Sequence, residues 1–158
     1  VYSKSEFREA ALAAANAARA SGSPIVPEVA VAQAALESNY GNSGLARHAN
    51  NLFGIKATKS WKGPVYTRPT TEYVDGKPVT VVASFRKYSS WAGCFADYGQ
   101  LISRLKWYAD AKAAAQRGDA RGFLKGLCAS KTEPGWATAP DYEKRILAVA
   151  KSLGFSLT

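Results

Sequence analysis

Residues 27–37 read PEVAVAQAALE, and the chain continues through Ser38-Asn-Tyr-Gly41 to Asn50-Asn-Leu-Phe-Gly54. Between Glu28 and Glu37 there is no charge, only Val, Ala, Leu and one Gln. Pro27 suits the first position of a helix, where its missing N–H has no partner to lose, and the alanines favour helix over strand. At 3.6 residues per turn Val29, Val31, Ala32, Ala35 and Leu36 share a broad apolar arc, as in a helix buried on most sides. Glu37 falls beside Gln33 and Ala30, at the edge of that arc and in the last turn. A carboxylate there meets the negative end of the helix dipole, unfavourable by roughly 0.3–1 kcal/mol. Partial burial adds a desolvation cost. Both effects raise its pKa toward the range a general acid needs near neutral pH. The bland alternative is an ordinary surface Glu at a frayed helix end.

With 158 residues the chain is expected to form one domain, 1–158, with a sizeable core. A hydrophobic content of 47% against 21% charged residues is that of a globular protein. No apolar run is long enough to span a membrane, so no membrane insertion is expected. The sequence starts at Val1, has no Met and shows no signal-like segment, which reads as a mature or excised domain.

The net charge of +9 asks for an anionic partner or surface. The basic residues, among them Arg47, Lys56, Lys62, Arg68, Arg86 and Lys106, are spread over loops and strands instead of one recognition helix, which argues against nucleic acid. An anionic cell-wall polymer suits diffuse charge equally well, and simple solubility is the plain alternative. Cys94 and Cys128 lie in apolar helical stretches with no zinc-knuckle spacing. Buried free thiols are the default, and a single disulfide is the alternative in an oxidising compartment.

In chain order, Ser3 and Glu6 have capping-box spacing ahead of a helix with Phe7, Ala11, Ala14, Ala15 and Ala18 on one face. Ser38 to Asn51 reads as a loop with one helical turn around Leu45 to His48. His48, the only histidine, has no second ligand at metal spacing and no Ser–His–Asp order around it, so no metal is expected. From Val65 to Tyr88 the period becomes two, and Asp75-Gly76 marks a hairpin turn. That register sets Val74 opposite Lys77 and Glu72 opposite Val79, with Glu72 on the more apolar face. Helices follow: one with Cys94, Tyr98, Leu101 and Leu105 in a stripe, one over Tyr108 to Gln116, and one capped by Asp119. After a loop holding Trp136, a last helix opened by Pro140 carries a stripe of Tyr142, Ile146, Val149 and Leu153. The pattern is α+β, helices around one embedded hairpin.

Taken together, AQAALESNYG, NLFGIKA, TTEYVDGK, ASFRKYSS and WATAPDY resemble the glucosaminidase family of peptidoglycan hydrolases, glycoside hydrolase family seventy-three. Within it the likeness is to the wall-cleaving domain of bacterial flagellar rod-assembly proteins, and it runs in order from about Pro24 to Lys151. The resemblance implies a lysozyme-like α+β domain, mostly helical, with one β-hairpin lining a glycan-binding cleft. It implies hydrolysis of the β-1,4 bond on the reducing side of N-acetylglucosamine in peptidoglycan, without a cofactor or metal. It also implies action in the periplasm or cell wall, with flagellar rod proteins reached through regions outside this chain. Glu37 matches the general acid of the family's ALES motif, Glu72 the second carboxylate of its TEY-type hairpin motif, and Tyr142 the tyrosine closing ATDPxY. Here that last motif reads ATAPDY, with Ala139 in place of the usual Asp and Trp136 where Tyr is common.

Glu72 would act as general base, giving inversion, if it stands roughly 6.5–9.5 Å from Glu37. If it lies farther away, either the hairpin closes or the substrate's own N-acetyl group attacks. Tyr40, Phe53, Trp61, Tyr73 and Trp136 are candidates for stacking on sugar rings, and Asn50 and Asn51 for binding acetamido groups. Core packing is the competing role for each aromatic. Two rivals remain: a muramidase or lytic transglycosylase, against which NLFG stands in place of a GLMQ-type motif, and a wall-binding module without catalysis.

Overall fold

The computed structural model describes residues 1–157. Helix α1 (Lys4–Ala20) starts at the expected capping box, with Ser3 Oγ accepting from Glu6 N at 3.0 Å and Glu6 Oε1 accepting from Ser3 N at 2.9 Å. Helix α2 (Pro27–Ser38) follows, with Pro27 in its first turn. Every residue from Val29 to Ala35 is buried, Gln33 included. Each fully buried Val contributes about 1.5–3 kcal/mol, so this helix is the axis of the core. It packs on α1, on α6 (Ala120–Leu127) and on α7 (Tyr142–Ser152).

Directly after α2 the chain reverses through three left-handed residues, Asn39, Tyr40 and Gly41, with φ of 51°, 56° and 79°. For an aromatic residue this backbone is strained, and packing holds it: Tyr40 meets Phe7 edge-on at 5.9 Å, with Lys4 Nζ 5.1 Å from the ring centroid. A Cβ on Gly41 would lie 3.0 Å from the Trp91 ring and 3.2 Å from Phe7. The tight reversal leaves the last turn of α2, and Glu37 with it, unobstructed. The expected turn near Leu45 is a short helix, α3 (Gly44–Ala49), capped by Ser43 Oγ on Ala46 N.

Strands β1 (Val65–Val74) and β2 (Lys77–Arg86) pair antiparallel in the anticipated register, Val74 with Lys77 and Glu72 with Val79. Asp75 and Gly76 both have positive φ, 53° and 76°, as a type I′ turn requires. Only the base of the hairpin is anchored. Phe85, Tyr66 and Ala83 cluster with Leu45 and Ala49 of α3, and His48 stacks on Tyr66 at 5.6 Å. Buried Arg86 bonds Asp97 at 2.9 Å and the Lys56 carbonyl at 3.1 Å. From Thr71 to Thr80 every residue is exposed, so the apolar face expected around Glu72 does not form at the tip.

Helix α4 (Trp91–Arg104) is capped by Ser90, and a 3₁₀ turn at Lys106–Tyr108 precedes α5 (Ala109–Gln116), where the sequence suggested one helix from Tyr108. Asp119 Oδ1 caps α6 through Gly122 N at 2.9 Å. Helix α7 begins at Tyr142, two residues beyond Pro140; Pro140 and Asp141 form a turn in which Tyr142 N reaches Ala139 O at 3.2 Å. Both cysteines are free: Cys94 is buried in α4, and Cys128 sits at the C-cap of α6, not inside a helix.

Candidate active site

The open end of α2, the Phe53-Gly54-Ile55 segment, α4, and the loop before α7 enclose a cleft of about 380 Å³. Glu37, Phe53, Ile55, Leu101, Tyr108 and Trp136 line it. Most of its lining side chains are apolar, but polar atoms make up nearly half of the exposed lining, and one carboxyl group stands at its edge. Glu37 is exposed as a residue, yet enough protein surrounds the carboxyl that desolvation raises its pKa. A hydrogen bond from Tyr142 and the charge of Arg145 pull the other way, and desolvation outweighs them.

Tyr142 Oη donates to Glu37 Oε1 at 2.9 Å. Behind it, Gln33 Nε2 donates to Tyr142 Oη at 3.0 Å, and Tyr98 Oη donates to Gln33 Oε1 at 2.5 Å. Four side chains from α2, α4 and α7 thus form one hydrogen-bonded row running from the core to the cleft. The substitution of Ala139 does not disturb Tyr142, whose hydroxyl is fixed at both ends. Sequence reading missed Gln33 and Tyr98. The one available signal was a lone Gln on an otherwise apolar helix, which needs a buried partner.

The aromatic candidates separate by position. Trp136 lines the cleft, and the backbone brings it there at close quarters: a Cβ on Gly135 would lie 2.0 Å from Ala129 N, and Trp136 N donates to Leu127 O at 2.8 Å. Phe53 also lines it, but is almost fully buried and stacked flat on Tyr98 at 4.1 Å, so it is floor more than platform. Tyr40 turns toward α1, away from the cleft lining. Trp61 faces a separate hollow beside Tyr88, with its N–H on Pro64 O and Arg86 against its ring. Tyr73 is exposed on the outer hairpin.

The acetamido role expected of Asn51 is corrected. Its side chain is buried, Nδ2 donating to Ile55 O and Arg86 O while Oδ1 accepts from Ile55 N, so it shapes the loop and offers nothing to a ligand. Asn50 likewise donates to Tyr88 O, as the left-handed cap of α3. Glu72 does not line the cleft. It stands on the exposed arm, with Lys56 Nζ at 3.5 Å, an open ion pair of little stabilising value. Among the described residues no group of three or more His, Cys, Asp or Glu is arranged to hold a metal ion, and no helix is long and apolar enough to cross a membrane.

A family model described as mannosyl-glycoprotein endo-beta-N-acetylglucosaminidase matches residues 11–155. The chain belongs to the glucosaminidase family. This glucosaminidase domain is 36% identical over 143 residues to a peptidoglycan hydrolase FlgJ of Vibrio parahaemolyticus, covering 89% of the chain and 44% of that protein. It is 39% identical to the exo-glucosaminidase LytG of Bacillus subtilis, covering 80% and 44%. The chain therefore spans less than half the length of these relatives. Among solved structures, a glycoside hydrolase domain of Salmonella typhimurium FlgJ superposes with a TM-score of 0.72 at 33% identity, covering 96% of this chain and 98% of that one. The catalytic domain of the Listeria monocytogenes autolysin Auto gives 0.75 at 26% identity, covering 98% and 88%. The α+β, lysozyme-like expectation is borne out by these folds and by the helices and hairpin described above.

Proposed function

We propose that this domain is an endo-β-N-acetylglucosaminidase that hydrolyses the β-1,4 bond between N-acetylglucosamine and N-acetylmuramic acid in peptidoglycan. The observation that carries this is Glu37: a carboxyl opening on a cleft beside Phe53, Ile55, Tyr108 and Trp136, its pKa raised by desolvation and its position fixed by Tyr142. A carboxylic acid still neutral at working pH can protonate the leaving glycosidic oxygen, while Trp136 in the same cleft offers a face for a sugar ring. Water completes hydrolysis. Glu72 is the general base in this reading; it stands on an arm anchored only at its base, and the reading has that arm close over bound glycan before Glu72 acts. Substrate-assisted attack by the N-acetyl group, with Tyr142 orienting it, is the route if Glu72 proves dispensable.

The partner is the glycan strand, and the site of action is the cell wall or periplasm. The relatives named FlgJ support a role in local wall opening during flagellar rod assembly, with rod contacts made outside residues 1–158, which form one catalytic domain. A relative named probable N-acetylmuramidase, from Lactococcus lactis, is 37% identical over 123 residues and favours muramidase action as the second reading. Digestion of purified peptidoglycan, borohydride reduction and mass analysis separate the two. Reduced N-acetylglucosamine ends are expected, and reduced muramic acid ends would overturn the assignment. Fragment sizes distinguish endo from exo action.

A further inference from the structure

Gln33 is the one polar side chain in the fully buried middle of α2. Its amide has two possible orientations, similar in shape and opposite in hydrogen-bonding sense. As it stands, Oε1 accepts from Tyr98 and Nε2 donates to Tyr142. With its oxygen engaged by that donor, Tyr142 directs its only proton to Glu37 Oε1. Turned over, the amide would donate to Tyr98 and accept from Tyr142, drawing the Tyr142 proton away from Glu37.

Tyr98 decides between the two. Its hydroxyl is fully buried, and its acceptor is Gln33 Oε1. The ring around it is held by Phe53 at 4.1 Å and Trp136 at 5.1 Å, both aromatic faces or edges. In the reversed sense its proton would have no acceptor, a state that buried polar groups avoid.

We propose that Gln33 and Tyr98 are positioning residues that set the direction of the hydrogen-bond row ending at Glu37, so that Tyr142 donates to Oε1 and the acid's transferable proton is carried on Oε2. The proposal rests on the glycosidase reading, in which Glu37 is the acid. The charged and titratable groups that face Glu37 are Tyr142 and Arg145 on α7 and Tyr98 on α4. Arg145 acts through space and does not depend on the direction of the row.

The test uses Tyr98→Phe, which leaves the Gln33 amide free to turn over, with Tyr142→Phe as comparator. Less donation from Tyr142 leaves the Glu37 carboxylate less stabilised. Each variant should therefore move the alkaline limb of the pH–rate profile on purified peptidoglycan upward, with kcat reduced by up to about 10²-fold. Adding Tyr98→Phe to Tyr142→Phe should move the limb no further. Carbon-13 titration of the Glu37 carboxyl reads the same shift without turnover. A limb and a titration that stay in place while melting temperature falls would reduce both residues to packing and overturn the proposal, as would additive shifts in the double variant. Full lysis by Glu37→Gln would instead overturn the glycosidase reading, and the carboxyl titration would still report the direction of the row.

Discussion

Tyr142 and Glu37 are 105 residues apart in sequence, yet their side chains meet at 2.9 Å, the first residue of α7 against the last turn of α2. The hydrogen bond lowers the Glu37 pKa, but burial around the pair decides how the carboxyl behaves with pH. Burial raises the carboxyl's pKa in the folded state above its unfolded value near 4.3. Stability from the neutral acid is therefore complete below that unfolded value and declines as pH rises through the folded pKa. Glu37→Gln removes this penalty while keeping an oxygen for Tyr142 to donate to. The variant should melt at a higher temperature than wild type at neutral pH and at the same temperature below about pH 4. Lysis should fall by about 10²–10⁴-fold, as for loss of a general acid. Paired melting curves and zymograms check both; a folded variant with wild-type lysis would remove Glu37 from the chemistry.

Arg145 lowers the Glu37 pKa from the exposed side of α7. Arg145→Gln should shift the alkaline limb of activity upward at low salt. Because the charge is exposed, the difference should shrink near 0.5 M salt, where screening is strong. A shift that ignores salt would mean that Arg145 acts by contact instead of by field.

The hairpin arm should be more labile than the helices, since Thr71 to Thr80 have no buried contacts. Hydrogen exchange over residues 66–85 should slow when a non-cleavable glycan is bound. Equal exchange in both states would exclude closure, and full activity in Glu72→Gln would pass the second step to the substrate's N-acetyl group.

Burial pushes the Cys94 thiol up to about 12 and the Cys128 thiol up to about 11. Neither forms a thiolate near neutrality, so alkylation by iodoacetamide at pH 8 should be negligible in the native protein and complete after denaturation. Rapid modification of native Cys94 would mean that α4 opens readily.

Binding to insoluble peptidoglycan should weaken steadily across a salt series, because a charge of +9 attracts an anionic polymer over about a Debye length. A flat response would detach the charge from the substrate.

Local rules made much of the fold legible. Pro27 and the charge-free interval gave α2, Ser3 and Glu6 gave the first cap, and Asp75-Gly76 fixed every pair of the hairpin. These features depend on neighbours in sequence. Glu37 could be singled out because its setting, the last turn of an apolar helix, is also local. Asn51 misled for the opposite reason: its partners, Ile55 and Arg86, belong to a loop and a strand end whose approach no spacing encodes. Gln33 lay in plain view, but its partners stand 65 and 109 residues away, and only the packing of α4 and α7 on α2 joins them.

The docking of α7 on α2 also has a consequence in time. Long-range contacts carry a loop-closure cost that local ones avoid, and they form late. The hairpin and α1 can form from adjacent residues, whereas the acid's hydroxyl partner arrives with the final helix. A chain still emerging from a ribosome thus holds Glu37 without Tyr142. The Glu37–Tyr142 pair is thus complete only once α7 has docked on α2, so a chain cut short before α7 keeps the carboxyl and loses the hydroxyl that positions it.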